Sequence, residues 1–141
     1  MPGPYTVDAS VFLNAFNPSE AGHMKSKEFL SWLKSEAIPI IAPTILLPEV
    51  AAAIRRGGDD AQLARRFART LSRLPNLMLV TLDKRLALQT ADVAANSGLR
   101  GSDAVYAAVA TRFACPLVTL DREQHDRVAN VLKAHYPGDL L

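Results

Sequence analysis

The stretch PYTVDASVFLNAF, Pro4 to Phe16, decides how this chain is read. A short run ending in Thr6 and Val7 stops at Asp8, and an apolar run with helix-like spacing begins directly after it. A strand that feeds a helix through a single acid places that acid at the strand's C-terminal end, where open α/β sheets form their binding crevice. A charge left at a core strand end costs roughly several kcal/mol unless it is paired or bound to a metal. Asp8 is therefore the first candidate for function.

Outward from Asp8, short β-branched runs alternate with longer segments of helical period, the pattern of a parallel sheet covered by helices. The expected strands are Tyr5 to Val7, Ile38 to Ala42, Leu77 to Thr81 and Leu117 to Leu120. One helix follows Asp8, and a second runs from about Ser19, its expected N-cap, to Ser35. A third covers Thr44 to Arg56, with Pro48 tolerated in the first turn and Gly57-Gly58 closing it. The segment DDAQLARRFARTLSRL (59–74) sets Leu63, Phe67, Leu71 and Leu74 on one side and Arg65, Arg69 and Arg73 on the other. Further helices are expected from about Asp83 to Ala95, over SDAVYAAVATRFA (102–114), which is apolar nearly all round, and from about Arg122 to Lys133.

Three more acids fall on this scaffold in telling places. Glu49 lies one helical turn from both Ile45 and Ala53, so it points with apolar neighbours. Asp103 opens the most apolar helix, and Asp121 follows the apolar strand Leu117 to Leu120. Each has a plainer reading: Asp103 and Asp121 as carboxylates serving helix N-termini, Glu49 as a surface residue of a helix turned the other way. Together they converge on one edge of the sheet. Four such carboxylates without matching basic residues repel one another, and raised pKa values or a bound cation relieve that. An all-oxygen site suits Mg²⁺ or Mn²⁺ rather than zinc, since His23, His125 and His135 are scattered and Cys115 is isolated. Such cations serve phosphoryl chemistry, because they acidify water and hold the oxygens of an in-line displacement.

The ordered pieces VDAS around Asp8, LPEVAAAIRR around Glu49, GSDAVYAAVA around Asp103 and LVTLDREQ around Asp121 resemble the PIN domain, a family of metal-dependent ribonucleases. The resemblance covers essentially the whole chain. It implies that Asp8, Glu49 and Asp103 are core acidic site residues joined by Asp121, with the hydroxyls of Ser10 and Thr119 close to the metal. It also implies a three-layer α/β/α fold with a parallel sheet of four to five strands in the order 3-2-1-4-5. The fifth strand has no clear run and would be short, near Val131 to Tyr136. Many small members are VapC-like toxins of toxin–antitoxin pairs, which implies an antitoxin partner and a homodimer.

That strand order separates two copies of one motif, because VTLD occurs at 80–83 and again at 118–121. Neighbouring strands lie roughly 5 Å apart, so an acid two strands from Asp8 sits on the order of 10 Å away. Asp121 is expected in the site and Asp83 outside it.

Composition is compatible with this. The chain has 141 residues, 49% hydrophobic and 21% charged, which fits one ordinary domain spanning 1–141. No apolar run is long enough to span a membrane and the start lacks the layout of a secretory signal, so a cytoplasmic location without membrane partners is expected. The formal net charge is only +2. Setting the four candidate ligands aside as metal-neutralised leaves 16 basic against 10 acidic residues, a balance of +6 that would attract RNA. Arg55, Arg56 and Arg122 are the candidates for phosphate contact. The Arg65, Arg69 and Arg73 stripe is either a solvated face or a contact for RNA or protein.

Rival readings fit less well. A phosphoacceptor signalling domain needs paired acids at the first strand and a Lys after the last, but TVDAS supplies one acid and no suitably placed Lys follows a late strand. A haloacid-dehalogenase-like phosphatase needs a second Asp where Ser10 stands. An RNA-processing nuclease without an antitoxin, or a PIN-like binding scaffold, shares the same motifs.

Overall fold

The computed structural model describes residues 2–141. Its elements alternate as the sequence pattern requires. Strand β1 (Thr6–Val7) leads into α1 (Ala9–Phe16), then α2 (His23–Ser35), β2 (Ile40–Pro43), α3 (Leu46–Gly58) and α4 (Ala61–Ser72). There follow β3 (Leu77–Val80), α5 (Lys84–Ser97), α6 (Gly101–Arg112), β4 (Leu117–Val118), α7 (Arg122–Val128), β5 (Ala134–His135) and a 3₁₀ turn at Pro137–Leu140.

Every strand pair is parallel. β2 and β3 run in register from Ile40–Leu77 to Pro43–Val80, and Thr6 and Val7 of β1 pair with Leu117 and Val118 of β4. β4 in turn pairs with β5, and a bridge between Tyr5 and Ile40 joins the two groups. The strand order is therefore 3-2-1-4-5, with helices on both faces in three α/β/α layers. β1 is short because Asp8 already turns the chain: it is the N-cap of α1 and accepts from Ser10 N.

The core forms where the central strands meet the helices. Val7, Ile40, Leu117 and Val118 are wholly buried, as are Val50 of α3, Phe29 and Leu33 of α2, and Ala104 to Ala110 of α6 nearly throughout. Fully burying one aliphatic side chain of this size contributes about 1.5–3 kcal/mol, so α6 anchors the fold. It packs against β1, β2 and β4, which explains why its sequence shows no polar face. Edge-to-face packing of Tyr5, just before β1, on Phe29, 5.8 Å between centroids, ties the start of the sheet to α2. At the sheet edge β3 leaves Met78 exposed.

Three expectations shift in detail. Ser19 does not cap α2: its N–H donates to Asn17 Oδ1 and Asn14 Nδ2 donates to Ala21 O, so the loop is held by asparagines and the helix starts at His23. Gly22 precedes it in the left-handed region, at φ 81°, which glycine adopts without strain. α3 runs through Gly57-Gly58, and the left-handed stop is Asp59. α7 ends at Val128 rather than Lys133, because the chain must turn before it can lie beside β4 as β5. No helix among the described residues is long and apolar enough to cross a membrane.

Candidate active site

Four elements deliver one acid each to a single cleft of about 680 Å³. Asp8 comes from the β1–α1 joint, Glu49 from the first turn of α3, Asp103 from the first turn of α6, and Asp121 from the N-cap of α7. Ser10, Leu13, Arg56 and Arg100 line the same cleft. Asp8 is the most deeply set, only 7% exposed, whereas the other three are half-buried.

Each carboxylate has a specific neighbour. Asp8 Oδ2 accepts from Ser10 N at 3.1 Å and from Thr119 Oγ1 at 3.3 Å. Glu49 Oε1 accepts from the Tyr106 hydroxyl at 2.6 Å. Asp103 and Asp121 are both approached by Arg100, through Nε at 3.4 Å and Nη2 at 3.2 Å. Around Asp121 the buried Thr119 hydroxyl also contacts Gln124 Oε1 at 2.9 Å and accepts from Asp121 N at 3.0 Å. Gln124, itself wholly buried, donates to the Asp103 carbonyl at 3.3 Å, tying α7 to α6. Ser10 Oγ accepts from Leu120 N at 3.0 Å and lies 3.4 Å from Thr119 Oγ1, so the two hydroxyls hold the β1 and β4 ends together.

The electrostatics follow from this crowding. Burial pushes the Asp8 carboxyl above its ordinary value despite its hydrogen bonds. Burial does the same to Glu49, where the charges of Asp8 and Asp103 add to the rise and Tyr106 opposes it. Asp103 is raised by burial and by Asp8, with Arg100 opposing. The Tyr106 hydroxyl is raised in turn by burial and by Glu49, which keeps it a proton donor to that carboxylate.

These oxygens suit a hard divalent cation, since on top of burial the charges of neighbouring acids add to the rise at Glu49 and Asp103. Among the described residues, however, no three His, Cys, Asp or Glu side chains already stand arranged around one point. Glu49 is turned to Tyr106, and Asp103 and Asp121 to Arg100. Holding an ion would require these side chains to re-aim.

Of the basic residues expected near phosphate, Arg56 lines the cleft. Arg55 instead pairs with Asp59 one turn on, and Arg122 is exposed outside the cleft lining. Arg65, Arg66, Arg69 and Arg73 border a separate surface depression on α4. Asp83 caps α5 by accepting from Leu86 N at 2.8 Å and is absent from the cleft lining. Sequence reasoning missed Arg100, Tyr106 and Gln124. The signal was there in spacing: Arg100 and Tyr106 stand three residues either side of Asp103, and Gln124 three after Asp121.

The comparisons with known proteins agree with this architecture. The model matches VapC20 of Mycobacterium tuberculosis, described as a sarcin-ricin loop cleaving toxin, with a TM-score of 0.75 and 16% identity over 92% of this chain and 96% of that one. It matches PAE2754 of Pyrobaculum aerophilum with a TM-score of 0.69 and 25% identity, covering 99% and 95% of the two chains. VapBC2 of Rickettsia felis, solved on a DNA fragment from its promoter, gives 0.68 and 16% over 94% and 97%. No curated protein sequence matches. A family model described as the PIN domain matches residues 5–131, and the chain belongs to that family.

Proposed function

We propose that this chain, acting as one nuclease domain, is a Mg²⁺- or Mn²⁺-dependent endoribonuclease and the toxin of a toxin–antitoxin pair. One observation carries the reading: Asp8, Glu49, Asp103 and Asp121 reach a common cleft from four separate elements, although no two are within 17 residues of each other in sequence. A packed fold has no structural use for that convergence: the charges of Asp8 and Asp103 add to the rise at Glu49, and those of Asp8 and Asp121 to the rise at Asp103.

In this reading the four acids hold the metal or its waters. The cation, when bound, supplies Lewis-acid polarisation of the scissile phosphate and a more acidic water. Ser10 and Thr119 fix the orientation of Asp8, and Tyr106 fixes that of Glu49. Arg56, exposed on the cleft wall, is the phosphate contact. Support for the toxin role comes from neighbours described as toxins or toxin–antitoxin complexes, including one from Klebsiella pneumoniae. The partner expected is an antitoxin that sends a basic residue toward Asp8, Glu49 and Asp103, and the assembly expected is a homodimer. Family membership leaves no place for the phosphoacceptor or phosphatase readings.

The test is incubation of the purified chain with an end-labelled RNA pool in Mg²⁺, in Mn²⁺ and in excess EDTA. Cleavage in either metal and none in EDTA is expected. Equal cleavage in EDTA would remove the metal, and no cleavage in any condition would remove the nuclease.

A further inference from the structure

Among the described residues, Arg100 is the one basic side chain bonded to the cleft carboxylates, and it bonds to two of them. Its Nε faces Asp103 Oδ2 at 3.4 Å and its Nη2 faces Asp121 Oδ2 at 3.2 Å. Two nitrogens of one planar fork thus span acids delivered by two different helices, α6 and α7, where an ammonium would have to reach both from a single nitrogen. Arg56 makes the useful contrast. It lines the same cleft and carries the same charge, but has no carboxylate partner among the described residues.

The hold on Arg100 is weak. Its side chain is 71% exposed, and exposed ion pairs at such distances are readily broken. The carboxylates it bridges are among those the proposed function assigns to the divalent cation. One monovalent group, loosely held, therefore sits between two of the oxygen donors that the cation would need.

We propose that Arg100 is the resident counter-cation of the acidic cleft, tying Asp103 to Asp121 in the metal-free protein and competing there with the divalent cation. Arg100 then sets how tightly the metal binds, and it relieves repulsion between the two acids while the metal is absent. This rests on the reading of the cleft as a divalent-cation site.

The experiment is Mn²⁺ titration, by calorimetry and by the signal of free Mn²⁺, on the wild type, Arg100→Gln, Arg100→Lys and Arg56→Gln, with metal-free and Mn²⁺-saturated melting curves for each. Arg100→Gln should bind Mn²⁺ roughly three- to tenfold tighter, the scale of two exposed ion pairs lost to the competitor. Its metal-free melting temperature should fall, and saturating Mn²⁺ should close the gap to wild type. Arg100→Lys should lie between, and it carries the test if the Gln variant fails to fold. Arg56→Gln should tighten binding less than Arg100→Gln. An Arg100→Gln protein that binds no tighter overturns the inference and leaves the metal reading intact. So does an Arg56→Gln protein that tightens equally, since the effect would then be general charge and not bridging. A wild type that binds no Mn²⁺ overturns both.

Discussion

The segments Val80–Asp83 and Val118–Asp121 share the letters VTLD and much of their local structure, yet only one of them meets the cleft. Both acids are helix N-caps, Asp83 accepting from Leu86 N at 2.8 Å and Asp121 from Gln124 N at 3.1 Å. Both follow a parallel strand. The difference lies in which strand. β4 is bonded directly to β1, so Thr119 is wholly buried against Asp8 and Asp121 faces Arg100. Among the described residues β3 is bonded only to β2, and Thr81 is exposed. A local motif can specify a cap, but whether the cap joins a site is decided by strand order.

The largest effect is expected at the residue that makes the β4 copy special. Asp8→Asn should abolish RNA cleavage with the fold retained, because the cleft loses the negative charge of its most buried carboxylate, on which the proposed metal binding depends. It should also hold or raise stability in metal-free buffer. The sign follows from the shift: the Asp8 carboxyl is raised in the folded protein, so the native state holds its proton to higher pH than the unfolded chain. Stability is then full below the ordinary carboxyl pKa of 3.8 and declines as pH rises through the elevated value. Metal-free melting temperatures should fall over that window in the wild type and fall less in Asp8→Asn. Cleavage by the variant at the wild-type rate would detach the cleft from the chemistry.

An intermediate effect is expected from removing one hydroxyl in each copy. Thr119→Val keeps the shape but leaves Asp121 N–H without its acceptor and removes the one hydroxyl proton within reach of both Gln124 Oε1 and Asp8 Oδ2. An unsatisfied buried group costs about 1–3 kcal/mol, and cleavage should drop with the loosened Asp8. Thr81→Val, at an exposed position, should change stability by no more than about 0.5 kcal/mol. Urea melts and cleavage rates of the pair measure the comparison directly, and equal losses would mean that burial of Thr119 has no functional consequence.

The same contrast explains what could be read in the sequence. Asp8, Glu49, Asp103 and Asp121 announce themselves because each interrupts an apolar pattern at an element's end. The strands were legible for the same reason, except β5: two residues, Ala134 and His135, carry too little pattern to stand out. Arg100, Tyr106 and Gln124 carry only a weak signal, their spacing from Asp103 and Asp121, and it is easily overlooked. Each has an ordinary explanation in its own segment, as a loop arginine, a core aromatic and a helical polar residue. Their roles arise from partners 57 residues away for Tyr106 and 21 for Arg100 and Gln124. Ser19 misled in the opposite sense, since it has the chemistry of a cap and lost the position to a loop held by Asn14 and Asn17.

The smallest effect should come from the copy outside the cleft. Asp83→Ala removes the side chain that accepts from Leu86 N, so α5 loses its N-cap and the protein about 1 kcal/mol of stability. Nothing in the cleft touches that residue, so cleavage rate and Mn²⁺ affinity should stay at wild-type values. Asp121→Ala supplies the matched control: it removes an equivalent cap from α7 and should lose about the same stability, but it also strips an oxygen from the cleft and frees one arm of Arg100. With the cap cost common to both, the difference in cleavage between the two variants isolates what strand order adds to an identical tetrapeptide. Weakened Mn²⁺ binding by a folded Asp83→Ala would place both copies in one site, and the parallel order 3-2-1-4-5 does not allow that within the roughly 5 Å spacing of neighbouring strands.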